Sequence, residues 1–380
     1  MFGLEICLSP ANDSGISPNG GAITFTTQNG SIATGILSSY ARAQLFDRVG
    51  NGGAITLTTF NGNIITGTLS SYSSGNGSGN GGAITLATFN GNITTGDAKA
   101  NRVGRFGFSG GSGGAITFTT QNGNIATGAL NSSGASNGAP ITLTTQNGSL
   151  TTGDLNSAGA FIGAEGAPIA LTTQNGNITT GNIRTTSISR PDTLTSASGA
   201  ITLTTQNGNI ATGDLTSTNN GVRNGGAVSI SAGNSINIGQ IDSSSLGSNG
   251  GSVTLKAGKD IVVSSINAQG GTVGGSPFGG TGGTGGSVNL TAGDTIRISD
   301  SFTALDGTTA SISTQGGTGG GAIRIVTGGG LGNPFKVGDP TTNGTAKDIT
   351  SGDFRISSTP VFTVPSPIYT QGNIEILTLP

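Results

Sequence analysis

One fifteen-residue phrase, Gly21-Ala22-Ile23-Thr24-Phe25-Thr26-Thr27-Gln28-Asn29-Gly30-Ser31-Ile32-Ala33-Thr34-Gly35, returns with small changes six more times. A chain built of near-identical phrases must fold so that every copy meets its neighbours in the same way. The first apolar residue of each copy falls at Ile23, Ile55, Ile84, Ile116, Ile141, Ile169 and Ile201, and a looser phrase continues at Val228, Val253, Val288 and Ile323. The mean period is about 30 residues.

Spacing within a copy is stricter than spacing between copies. Leu203, Ile210 and Leu215 lie 2, 9 and 14 residues after Ile201, and Leu143, Leu150 and Leu155 follow Ile141 in the same way. Apolar residues two apart, among Ile, Leu and Thr, mark a strand with one buried face. The rest is turn chemistry: Asn-Gly recurs at offsets 6 and 7, and another Gly at offset 12, as in Asn122-Gly123 and Gly128. Because Gly adopts positive φ without penalty, a left-handed backbone is expected at these corners. Three short strands, two corners and a loop describe one coil of a β-solenoid. Asn-Gly between apolar runs is also a hairpin signal, but identical hairpins would each expose an apolar face and two edges, whereas coils stacked in parallel pair every strand above and below. The expected fold is all-β, a right-handed parallel β-helix of about eleven coils, with the hand set by the crossover rule for parallel strands.

Composition fits thin coils with a slender aliphatic core: Gly is 72 of 380 residues, aromatics are 4% and charged residues 8%. A net charge of −2 supplies no electrostatic footprint for nucleic acid or an anionic membrane. No apolar stretch approaches the 18 or so residues of a helical span. The sole cysteine, Cys7, allows no internal disulfide framework. Met1-Phe2-Gly3-Leu4-Glu5-Ile6-Cys7-Leu8-Ser9-Pro10 lacks the basic start of a signal peptide, and the chain is expected to be a piece of a longer protein that is secreted or displayed on the outer cell surface.

Four zones are expected. Residues 1–19 are an irregular lead-in, and 20–330 the solenoid, divided into a first repeat type over 20–220 and a second over 225–330. In the second type the turn reads Ala-Gly-x-x-Ile, as in Ala232-Gly233-Asn234-Ser235-Ile236 and Ala257-Gly258-Lys259-Asp260-Ile261, and the offset of 9 shrinks to 8. Over 331–380 the pattern loosens, with Ile349-Thr350-Ser351-Gly352-Asp353-Phe354 and Gln371-Gly372-Asn373-Ile374 read as degenerate coils, a cap or a linker.

The chain has no histidine, which removes Ser-His-Asp and Cys-His nucleophilic sites and the commonest general base. Carboxylates remain. Asp97, Asp154 and Asp214 follow the Gly at offset 12 in alternate copies, but coils two apart stand about 9.6 Å apart, so exposed turn acids are the simpler reading. Catalytic, metal and cofactor sites are all expected to be absent. Gly279 to Gly286 has no Gly-Lys-Ser or Gly-Lys-Thr ending and reads as a loop. Outward Thr pairs such as Thr24/Thr26 and Thr142/Thr144 form a Thr-x-Thr grid of the kind an ice-binding solenoid uses, although Thr is favoured on any exposed β-face. Offset 5 carries Gln28, Gln121, Gln146, Gln174 and Gln206, with Phe60 and Phe89 between, a ladder expected to be structural. Charge and aromatics meet in two loops, one with Arg42, Phe46 and Arg48 and one with Arg102, Arg105, Phe106 and Phe108. Such loops are the expected binding sites, because Arg and aromatics dominate binding hot spots.

The Ala-Gly-x-x-Ile phrases, together with the Gly-Gly-Ala-Ile-Thr-Leu-Thr-Thr-x-Asn-Gly-Asn-Ile array, resemble the repeat region of filamentous-haemagglutinin-like exoproteins of bacterial two-partner secretion. The closing residues Asn333-Pro334-Phe335, Gly338-Asp339, Thr341-Thr342-Asn343-Gly344-Thr345 and Tyr369-Thr370-Gln371-Gly372-Asn373-Ile374 are similar to the segment that precedes a Pro-rich linker and a CHAT domain in some members. The resemblance, over residues 20–380, implies a non-enzymatic stalk or adhesive passenger. It implies cell-surface glycans or proteins as partners, and the outer-membrane transporter of the secretion pair. The alternatives from other classes are a carbohydrate-active β-helix and an ice-binding solenoid.

Overall fold

The computed structural model describes residues 19–42, 49–75, 77–104, 110–189, 198–277, 279–329 and 332–379. Among them there is no helix. The chain forms two compact units, Met1–Ile188 and Ser189–Pro380, each a stack of parallel β-coils.

In the first unit the leading strands Ile23–Thr27, Ile55–Thr59, Ile84–Ala87, Ile116–Thr119, Ile141–Thr144 and Ile169–Thr173 pair in parallel, Ile23 against Ile55, Ile55 against Ile84 and so on to Ile169. Two-residue strands follow in every coil. Ile64–Ile65 and Leu69–Ser70, for example, pair with their counterparts Ile93–Thr94 and Ala98–Lys99 in the next coil. Period-two alternation sends Ile55 and Leu57 inward, fully buried, and Thr56 and Thr58 outward. Stacking thus places like on like, which buries the aliphatic residues and leaves each peptide group a partner in the adjacent coil.

Two inward positions are polar. The threonine at offset 4 reaches the carbonyl of a glycine in the preceding coil, Thr120 Oγ1 to Gly91 O at 2.8 Å and Thr145 Oγ1 to Gly123 O at 2.8 Å. At offset 16 a serine is completely enclosed in most coils. Ser132 Oγ donates to Gly114 O at 2.6 Å, and Ser157 Oγ to Ala139 O at 2.8 Å and Ala167 O at 2.9 Å. These hydroxyls close the coil by satisfying carbonyls at its start, as buried polar groups must be satisfied. Sequence reasoning missed the serine stack because a Ser after a Leu-Ser or Leu-Asn pair looks like an exposed loop residue.

The corner glycines are glycine for a different reason from the one expected. Gly123 does not have a positive φ. A Cβ there would lie 2.5 Å from the carbonyl carbon of Gly91 and overlap its oxygen, so the constraint is the close approach of one coil's corner to the next. A left-handed backbone occurs elsewhere, as at Gly307 with φ +80° and no neighbour within 4 Å.

The second unit starts its coils at Ile201–Thr205, Val228–Ala232, Val253–Ala257, Val288–Ala292 and Ile323–Thr327, again parallel and in register. In two of these coils the wall is unbroken: Ile236–Asp242 and Ile261–Asn267 are continuous seven-residue strands where the first unit has two short ones. The closing residues combine coil strands with hairpins. Asp348–Ser351 and Ile374–Thr378 do join the stack in parallel, on Thr309–Ser313 and Ile323–Thr327. Each is also half of an antiparallel hairpin, with Phe354–Ile356 and Ile368–Gln371 respectively. The two-residue loops are Gly352-Asp353 and Gly372-Asn373, with φ +57° and +59° at the glycines, the chemistry a tight hairpin demands at its first central position.

Candidate functional site

The two loops expected to bind are partly strands. Ala41–Arg42, Ser73–Gly75 and Arg102–Gly104 form a small parallel sheet flanking the first coils, with Ala41 opposite Ser73 and Ser73 opposite Arg102. That register separates the two arginines. Arg42 points outward and is exposed, whereas Arg102 takes the inward position of Ala41 and Ser73 and is only 3% exposed. Its guanidinium donates from Nη2 to Gly75 O at 2.8 Å and Gly77 O at 2.9 Å, and from Nη1 to Val103 O. Burial pulls its pKa below the ordinary arginine value. Arg102 is therefore a buried clamp on the backbone, and its expected place on an exposed loop is corrected. Phe46, Arg48, Arg105, Phe106 and Phe108 lie outside the described residues.

The three recurring aspartates also serve the stack. Asp97 Oδ1 accepts the Ala129 N–H at 3.0 Å, Asp154 Oδ1 the Asn182 N–H at 2.8 Å, and Asp214 Oδ1 the Gln240 N–H at 2.8 Å. Each satisfies a backbone donor in the next coil. No group of three His, Cys, Asp or Glu capable of holding a metal ion occurs among the described residues. The amide ladders behave alike: Asn122 Nδ2 donates to Asn90 Oδ1 and Asn147 Nδ2 to Asn122 Oδ1, both at 2.8 Å, and Gln121 Nε2 to Gln146 Oε1 at 2.9 Å. Phe60 and Phe89 stack with centroids 4.8 Å apart and planes 6° apart. Both rings remain exposed on the outer surface of the coils.

A concavity lies in the second unit, where the coils stop repeating. It has a volume of ≈ 730 Å³, within the range of small-ligand clefts. It is lined by the run Gly316 to Gly320, by Leu305 and Asp306, and by Asp353, Phe354 and Asn373 of the two hairpins. Several contacts hold these parts together. Asn373 Nδ2 donates to Gly320 O at 3.1 Å, Ser351 Oγ to Gly321 O at 2.6 Å, and the Arg355 guanidinium meets the buried Asp348 carboxylate at 2.5 Å. Slight burial alone would raise the Asp306 carboxyl, but hydrogen bonds from the Thr308 hydroxyl and N–H, and from Gln315, outweigh it and hold its pKa below the ordinary value. The cleft therefore presents an ionised carboxylate at neutral pH.

None of these cleft residues was singled out from the sequence as functional. The available signal was local: Gly-Asp-Phe and Gly-Asn each break the repeat with a hairpin loop, and one of them carries an aromatic. No known family model matches the chain, no characterised protein matches it in sequence, and no solved structure matches its fold.

Proposed function

We propose that this chain is a non-enzymatic, adhesive display module of a secreted or cell-surface exoprotein, of the kind whose haemagglutinin-like repeats it resembles. The observation that supports this reading is the employment of the recurring polar side chains. Asp97, Asp154, Asn122, Gln121 and Thr145 each hydrogen-bond an adjacent coil, so the groups that a polysaccharide-cleaving β-helix would use as acid and base are committed to holding the scaffold. A stack rigidified on all sides suits presentation of loops and ends to a partner. Cell-surface glycans or proteins are the proposed partners, with the transporter of a secretion pair acting during export.

The test is adhesion. Beads carrying the purified chain should bind host-type or bacterial cells above beads carrying an unrelated β-protein, and the chain should release no reducing ends from a panel of polysaccharides. Polysaccharide turnover that vanishes in an Asp97→Asn or Asp154→Asn variant would overturn the reading, as would adhesion no greater than the control. One competing reading has a specific observation behind it, the in-register outward Thr face from Thr24 opposite Thr56 through Thr117 opposite Thr142. Thermal hysteresis and ice-crystal shaping by the chain would favour ice binding instead.

A further inference from the structure

The cleft in the second unit carries side chains that recur in no other coil, and its chemistry is selective. We infer that it binds a pyranose sugar carrying no negative charge, with the ring of Phe354 as the stacking platform. This deepens the adhesive reading, and rests on it for the role of the sugar, by naming where a glycan would be held.

Phe354 is 42% exposed, and its ring lies on Gly372 so closely that a Cβ at Gly372 would fall among the ring atoms Cγ, Cδ1 and Cδ2. One face of the ring is therefore backed by a glycine, and the exposed surface belongs to the other. An apolar ring face held rigidly at the edge of a polar cleft is suited to the C–H face of a pyranose, which is apolar while its rim of hydroxyls is polar. The hydroxyls have matching partners. Asp306 and Asp353 line the cleft as exposed acceptors, and a hydroxyl donated to a carboxylate forms one of the stronger hydrogen bonds. Asn373 lines the cleft as well, with its Nδ2 held by Gly320 O and its Oδ1 buried and without a hydrogen-bond partner.

The same residues exclude other ligands. No lysine or arginine lines the cleft, so phosphates, sulfates and uronates meet two carboxylates and no counter-charge. That rules against nucleotides and acidic polysaccharides. A bare divalent cation would need six or more oxygen ligands gathered on it, and no cluster of three acidic side chains is present among the described residues.

The full chain should be titrated by saturation-transfer NMR and calorimetry with methyl glycosides of a neutral hexose, an amino sugar and a uronic acid. The neutral and amino sugars are expected to bind in the millimolar range and the uronate not at all. Phe354→Ala should weaken binding about tenfold or more, Phe354→Tyr should retain it, and Asp353→Asn, an exposed change, should weaken it without shifting the unfolding midpoint. Failure of every neutral sugar, equal binding of the uronate, or wild-type affinity in folded Phe354→Ala would each overturn the inference. Should Phe354→Ala not fold, the Asp353→Asn titration decides alone. Cell adhesion is scored separately on the same proteins: adhesion without sugar binding removes the cleft and leaves the adhesive reading, while sugar binding without adhesion does the reverse.

Discussion

Replacing Gly123 distinguishes two physical reasons for a corner glycine. Its backbone is not left-handed, and a Cβ would stand 2.5 Å from Gly91 C and 3.0 Å from the Asn92 N atom. Contacts that short require the two corners to part by about an ångström, since even 3.0–3.4 Å is tighter than nine in ten real Cβ contacts. The bonds that hold them there are Asn122 N–H to Phe89 O at 2.9 Å and Thr120 Oγ1 to Gly91 O at 2.8 Å. Stretching both loses about 1 kcal/mol each, and overpacking adds about 1–3 kcal/mol, so Gly123→Ala should cost about 3–5 kcal/mol. Because the first carbon causes the clash, Gly123→Asn and Gly123→Val should cost about as much. Gly307 is the control: with φ +80° and open space around it, Asn should be tolerated there and Val should not, as left-handed backbone demands. Urea titrations of the six variants, Ala, Asn and Val at each position, provide the comparison. If Asn at position 123 costs less than about 0.5 kcal/mol while Val is severe, the corner is conformational and the close-approach argument fails.

Ser157→Ala should lower stability by about 1–2 kcal/mol, because Ala167 O loses the hydroxyl at 2.9 Å; a denaturation midpoint equal to wild type would show the serine stack to be incidental. Arg102→Ala strips the charge-assisted bonds to the Gly75, Gly77 and Val103 carbonyls and should cost about 3 kcal/mol or more, while any adhesion of the folded protein stays unchanged; a loss of adhesion at undiminished stability would return Arg102 to the binding surface. Burial raises the Asp242 carboxyl, with the Ser244 hydroxyl and N–H opposing it, so its contribution to stability is full below the ordinary Asp pKa and is lost as pH rises through the raised value. Asp242→Asn, which copies Asn267 at the paired position, should raise the melting midpoint at neutral pH and leave it unchanged in acid; a lower midpoint at neutral pH would refute the sign.

The coil was legible because its determinants are local and repeated. Ile at offset 0 and Leu at offset 2 point inward in any strand of period two, and repetition alone places Ile23 over Ile55. What periodicity does not carry is the direction of a residue in a segment with no pattern of its own. Arg102 looked exposed because charged residues usually are, and its burial follows only once Ser73 is known to pair with it. The reason for Gly123 was hidden in the same way. Positive φ is a property of one residue, whereas close approach is a property of two coils, and a single copy of the phrase contains no information about the distance to the next.

The cleft was illegible for a deeper reason. Asp306 stands in an excursion between coils, Gln315 after the strand that follows it, and Phe354 and Asn373 in two hairpins further on, with no common offset to relate them. The Asn ladder, by contrast, has a copy of itself above and below, and its hydrogen-bonding capacity is taken up there, as with Asn122 between Asn90 and Asn147. An amide in such a ladder is thus available to a ligand only where it lacks a matching neighbour. For an array of this kind the recurring residues report the scaffold, and recognition is to be sought at the interruptions, where Gly352-Asp353-Phe354 and Gly372-Asn373 leave an aromatic face and a carboxylate that no adjacent coil repeats.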